Sequence, residues 1–258
     1  MSERDKHQGR IFLHRGDVVQ ARACWESAVA DDRSAGNRRN LSDSLGNLGN
    51  ACALAGDLDA AEQCYREVLA IQRTEQDLQA VAHTLVNLGN LHIGSAHFDK
   101  ARPYYLEALD ILSPIEDHRA LGILRHNLAL HDARQERWEE ALANFKQALA
   151  HHRMVGNEDG LAVTYSQLGK VFYDRDRMVE AERCLNNAAE HFIKLGNEAG
   201  EAACLRMLAR MYDRQDNSVA AIRCLERVLP VDQRYHLPEL AEDRRLYEEL
   251  RNARGSAS

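Results

Sequence analysis

Residues 45–68 read LGNLGNACALAGDLDAAEQCYREV, and this stretch decides the fold. It describes one helix, a tight turn at Gly56-Asp57, and a second helix. The pattern returns from Leu85, Tyr165 and Leu205 at multiples of 40 residues, and from Leu124 one residue short of that spacing. If Leu45 is position 4 of its unit, position 7 is Leu48, Leu88, Leu128, Leu168 and Leu208. Position 8 is small throughout: Gly49, Gly89, Ala129, Gly169, Ala209. Position 20 is Ala21, Ala61, Ala101, Ala141, Ala181 and Ala221, and position 24 is large: Trp25, Tyr65, Tyr105, Phe145, Leu185, Leu225.

Each choice has a packing reason. Residues three and four apart share a helix face, so positions 4, 7, 8 and 11 form one stripe. Small residues at 8 and 20 let the two helices of a hairpin approach closely. The large side chain at 24 fills the space between adjacent hairpins. No single hairpin buries its stripe, whereas stacked hairpins bury a continuous core. The expected fold is all-α: a right-handed superhelical solenoid of antiparallel helix hairpins, in one domain covering 1–258. Its units are expected at 2–41, 42–81, 82–121, 122–161, 162–201 and 202–236. A helix over 238–254 follows, opened by Pro238. It reads either as a cap on the last hairpin or as a partner-binding or dimerising helix.

These positions resemble the tetratricopeptide repeat in a 40-residue form. They are similar to the lengthened repeats of Pins-type polarity adaptors and kinesin light chains. The resemblance covers roughly residues 8 to 235 and implies a protein-binding scaffold whose first helices line a concave wall. Relatives that clamp a terminal carboxylate use a Lys–Asn–Asn–Lys–Arg set. The corresponding residues here are Gly46, Asn50, Asn87, Ile123 and Asn127, so the cations are missing and such a clamp is disfavoured.

Composition narrows the function classes. Four prolines and 15 glycines suit a helical chain, and a net charge of -7 gives no reason to expect nucleic acid. No apolar run approaches the roughly 20 residues that span a bilayer. MSERDKHQGR has no apolar core, so no secretory leader is expected. A cytoplasmic protein is expected. Cys24, Cys64, Cys184 and Cys224 all fall at position 23, recurring with the unit, and no CxxC pair exists. They read as buried thiols, and no metal or other cofactor is expected. No GxSxG, HExxH or Gly-rich phosphate loop occurs, so the chain reads as a non-enzyme.

Positions 2, 6, 9 and 13 of each first helix lie opposite the core stripe, on the wall the resemblance makes concave. Position 6 carries an amide in four successive units: Asn47, Asn87, Asn127, Gln167. Asn50, Asn90 and His83 share that wall with Arg134. An amide offers both donor and acceptor, which suits the backbone of an extended peptide. The same amides could instead bond a neighbouring helix. The wall then turns basic at Lys170, Arg206, Arg210 and Arg214, as an anchor for an acidic segment or as a face of internal ion pairs such as Arg210 with Asp213 or Asp174. The expected partner is a protein or peptide, with an acidic segment as one option, and the chain itself a monomer or weak homo-oligomer. The competing readings are a self-assembling structural protein and a sensor that sequesters a signalling protein.

Overall fold

A computed structural model describes residues 2–94 and 98–256. Cα packing divides the chain into two compact units, Met1–His131 and Asp132–Ser258. The division falls within a helix. In a repeat stack each hairpin touches only its neighbours, so a two-way division falls near the middle without any change of architecture.

The first unit contains α1 (Ser2–His14), α2 (Val18–Ser34), α3 (Arg38–Leu54), α4 (Leu58–Glu75), α5 (Leu78–Gly94), α6 (Phe98–Ile115) and most of α7 (His118–Arg134). The second contains α8 (Trp138–Met154), α9 (Glu158–Asp174), α10 (Met178–Lys194), α11 (Glu198–Arg214), α12 (Ser218–Tyr235) and α13 (Leu240–Ser256). The described residues form an all-α array of helix hairpins, as the 40-residue period requires.

The turns repeat twice as often as the hairpins. A residue with positive φ stands at 16, 36, 56, 76, 116, 136, 156, 176, 196, 216 and 236, one every 20 residues among those described. At all of these turns but the one at 116, its successor donates a backbone N–H to the carbonyl five residues earlier, as Asp57 does to Cys52 at 2.9 Å and Asn197 to Phe192 at 2.9 Å. This 6→1 bond satisfies a carbonyl that the helix end would orphan. The same successor opens the next helix. Asp57 accepts from the Ala60 N–H at 3.2 Å, Asn157 from Gly160 at 3.0 Å and Asn217 from Ala220 at 3.2 Å. Where Asp or Asn stands there, one short turn ends one helix and caps the next, whereas Arg137 and Arg177 open α8 and α10 without a side-chain cap bond.

The sequence suggests that α4 and α6, which lack Gly-Asn at their ends, stay helical longer. They do so by a single residue, ending at Glu75 and Ile115, and then turn through left-handed Gln76 (φ 58°) and Glu116 (φ 55°). Register overrides residue preference here, because the next helix must start on schedule to present its apolar stripe.

Within hairpins the small residue at position 8 lies under the large one at position 24. A Cβ on Gly49 would stand 2.8 Å from the Tyr65 ring, and Gly89 meets the Tyr105 ring in the same way. Gly46, three residues earlier on α3, has nothing within 4 Å of such a Cβ. Two glycines of one helix should thus respond oppositely to alanine. Gly49→Ala is expected to cost about 1–3 kcal/mol through overpacking. Gly46→Ala is expected to add roughly 0.5–1 kcal/mol by removing a helix-interior glycine. Urea unfolding followed by circular dichroism measures both, and a common sign would refute the packing argument.

Candidate functional site

In the first unit the face opposite the core stripe of α3 and α5 forms a cleft of about 550 Å³. Asn50, Asn87 and Asn90 line it, beside Leu54, Leu58 and Leu91. Leu54 is 68% exposed, although it ends a helix whose other face is core. Amides and aliphatic side chains thus share one concavity, which suits a peptide presenting backbone polar groups and an apolar side chain.

The amides are not equivalent. Tyr65 Oη reaches past the core and donates to Asn50 Oδ1 at 2.6 Å, and Tyr105 Oη donates to Asn90 Oδ1 at 2.6 Å. Asn127 Nδ2 also donates to Asn90 Oδ1, at 3.0 Å. With these carbonyls engaged, Asn50 and Asn90 turn their Nδ2–H donors toward the cleft. Burial pushes the Tyr65 phenol up to about 12, so it remains a donor at neutral pH. Asn47 is turned away from this work and donates to the Asp43 carbonyl of its own helix at 2.8 Å. Asn87 is half-buried on the cleft wall and has no hydrogen-bond partner among the described residues. His83 is exposed one helical turn before Asn87.

The expected basic wall is mostly neutralised. Arg206, taken from sequence as a cation facing the groove, is only 8% exposed. It donates to Asp232 at 2.6 Å and to Asp243, joining α11, α12 and α13. The reason is positional. Arg206 sits one residue before the 2/6/9/13 face and points into the seam where α13 packs. Arg210 pairs with Glu242 of α13 at 3.1 Å, and Arg214 with Asp176 at 3.2 Å while lying over the Tyr173 ring. These partners differ from Asp213 and Asp174, which the sequence suggested. Lys170 and Arg134 are exposed, and Gln167 is half-buried on α9. The C-terminal helix packs as a cap: Leu250 is buried, with Leu246 and Tyr247 beside the Ala221–Leu225 core.

The six cysteines are unpaired, and burial pushes the Cys64, Cys184 and Cys204 thiols up to about 11, far from a reactive thiolate. Among the described residues no group of three or more His, Cys, Asp or Glu is placed to hold a metal ion. Among the described residues no helix is long and apolar enough to cross a membrane.

Arg206 with two buried carboxylates makes a testable device. Removing the arginine strands both, so Arg206→Ala should cost about 3–5 kcal/mol and release α13. Burial pushes the Asp243 carboxyl up, the neighbouring Asp232 adds to this, and Arg206 opposes it. A carboxyl raised in the folded state favours folding most below its unfolded pKa of about 3.9, and that contribution is lost as pH rises through the folded value. The melting temperature of Asp243→Asn relative to the parent should therefore increase from pH 4 upward. A difference that stays flat or falls would overturn this assignment.

Comparison with known proteins agrees with the repeat fold. Residues 6–155 match the family model of the MalT-like TPR region, and residues 160–234 match a tetratricopeptide repeat model. No curated protein sequence matches the chain. Among solved structures it is similar to BtubC from P. vanneervenii, with a TM-score of 0.76 and 20% identity over 85% of this chain and 92% of that one. It is also similar to a signal transduction ATPase with a tetratricopeptide repeat sensor from Pyrococcus horikoshii, with a TM-score of 0.81 and 16% identity over 97% of this chain but 38% of that one. A third likeness is to the kinesin light chain TPR-like repeats of Podosopora anserina, with a TM-score of 0.61 and 16% identity over 75% of this chain and 95% of that one. At these identities the likeness concerns the fold. With over half its residues in one matched repeat model and most of the rest in another, the chain belongs to the tetratricopeptide repeat family.

Proposed function

We propose that the protein is a non-enzymatic interaction scaffold and that the cleft of the first unit holds a segment of a partner protein. The observation that carries this reading is the convergence of Asn50, Asn87 and Asn90 on the exposed Leu54. The amides hold the backbone of the segment, and an aliphatic side chain of the segment covers Leu54, Leu58 and Leu91. His83 and Asn127 extend the same wall. In the second unit Gln167, Lys170 and the exposed Arg214 form the corresponding wall of α9 and α11, and Arg206 supports α13 instead. The setting proposed with this reading is the cytoplasm, with the chain a monomer or weak homo-oligomer.

A sensing role uses the same cleft. It is favoured by the likeness to the repeat sensor of the Pyrococcus horikoshii ATPase. In that role, occupation of the cleft would be the signal.

The test is capture from native lysate with a photo-crosslinker placed beside Leu54, followed by calorimetry with the captured protein. Asn87→Ala removes an amide that has no internal partner to disturb, and Leu54→Glu puts a charge on the apolar floor. Each should weaken binding by about 1–2 kcal/mol and leave helicity unchanged. Unaltered affinity in both variants would reject the cleft. Light scattering addresses end-to-end assembly, and a mass independent of concentration is the expected result.

A further inference from the structure

The second unit has another cleft, of about 540 Å³, between α8 and α10 and over α9. Lys146, Arg153, Arg177 and Arg183 line it, and no carboxylate does. That is unusual on a chain of net charge -7.

The repeat supplies the comparison that gives this meaning. Three periods earlier, the same positions between α2 and α4 carry Glu26, Arg33, Asp57, Gln63 and Glu67 in place of Lys146, Arg153, Arg177, Arg183 and Asn187. There the charges close on one another. Arg33 donates to both Glu67 oxygens at 2.6 and 2.8 Å, and Arg22 pairs with Asp57 at 2.9 Å. The Arg–Glu clamp recurs one period on, between Arg73 and Glu107. In the α8–α10 gap Asn187 replaces the clamping glutamate. Arg153 instead lies over the Tyr165 ring at 5.7 Å and donates to its hydroxyl. Arg177 lies over Phe172 at 4.7 Å and pairs with Glu180 of α10, outside the lining. Among the described residues Lys146 and Arg183 form no ion pair.

We propose that this cleft docks an acidic, amphipathic segment of a partner protein. Its carboxylates take the place of the missing Glu67-type acid, and its aliphatic side chains rest on Leu149, Leu168 and Phe172. The Tyr165 ring and hydroxyl hold Arg153 in place and Glu180 holds Arg177, so a carboxylate can meet Arg153 at little entropic cost with Lys146 and Arg183 beside it. The chemistry favours protein over nucleic acid. Arg153 and Arg177 cover the Tyr165 and Phe172 rings, and Tyr165 also stacks on His191 at 5.8 Å, so neither ring offers a free face to a base. The surface is separate from the amide cleft and does not rest on that reading.

The probe is a fluorescein-labelled peptide of alternating Leu and Glu pairs, followed by anisotropy, with the Leu–Lys peptide as control. The parent should bind the Glu peptide, more weakly as salt rises. Lys146→Glu with Asn187→Glu rebuilds the closed chemistry of the α2–α4 gap, so affinity should fall about tenfold or more. Melting should be unchanged or raised, since Arg153 regains a partner. Arg183→Glu, on an exposed side chain, is a second variant expected to weaken binding. Equal affinity in parent and variants overturns the proposal. So does equal binding of the Lys peptide, or an oligodeoxythymidine strand that binds more tightly than the Glu peptide.

Discussion

The contact on which the rest depends is that of a large side chain on a position without a Cβ. Tyr65 over Gly49, Tyr105 over Gly89 and Leu185 over Gly169 set how closely the two helices of a hairpin lie. Closer approach is excluded by the side chain, and wider spacing would leave a void that costs packing energy. Because the approach is close, the two tyrosine hydroxyls emerge on the far side of the first helix and orient Asn50 and Asn90. Core and cleft are therefore linked. The ring that builds the stack also fixes which end of the amide a ligand would meet.

The fold was legible because its signal is multiplied. A small residue at one position means little, but alanine at the same position of six units means close helix packing. Glycine marks five of the turns, and Gln76, Glu116, Glu136, Asp176, Asp216 and His236 adopt the same left-handed backbone without it. At those positions the flanking helices fix the conformation that the residue itself does not favour.

The site was legible only in part, and the reason lies in pairings between helices. Asn stands at position 9 only in the two units whose position 24 is tyrosine, and Leu130 and Lys170 accompany Phe145 and Leu185. That coincidence was the available sign that these amides are held from behind. Arg206 had a similar sign. Lys6 and Arg206 both occupy position 5, each in a unit whose position 31 is aspartate, Asp32 and Asp232. Each pair meets in the folded chain, at 3.1 and 2.6 Å. A face-by-face reading of single helices misses both relations. It therefore placed the basic character on α11, where most of it is spent on α12, α13 and Asp176, while Lys146 and Arg183 line the cleft between α8 and α10.

Two buried ion pairs, Lys6–Asp32 and Arg206–Asp243, give the first and last helices a particular mechanical character. A stack of repeats ordinarily loosens from its outer elements in small steps, because an outer repeat has a neighbour on one side only. Here α1 is tied through Lys6 to Asp32, which also accepts from Ser44, and α13 is tied through Asp243 to Arg206. Partial opening would strand an ion in a dry seam, so the intermediate positions are unfavourable. Under tension each outer helix should hold and then leave as a whole, a brittle latch instead of a fraying thread.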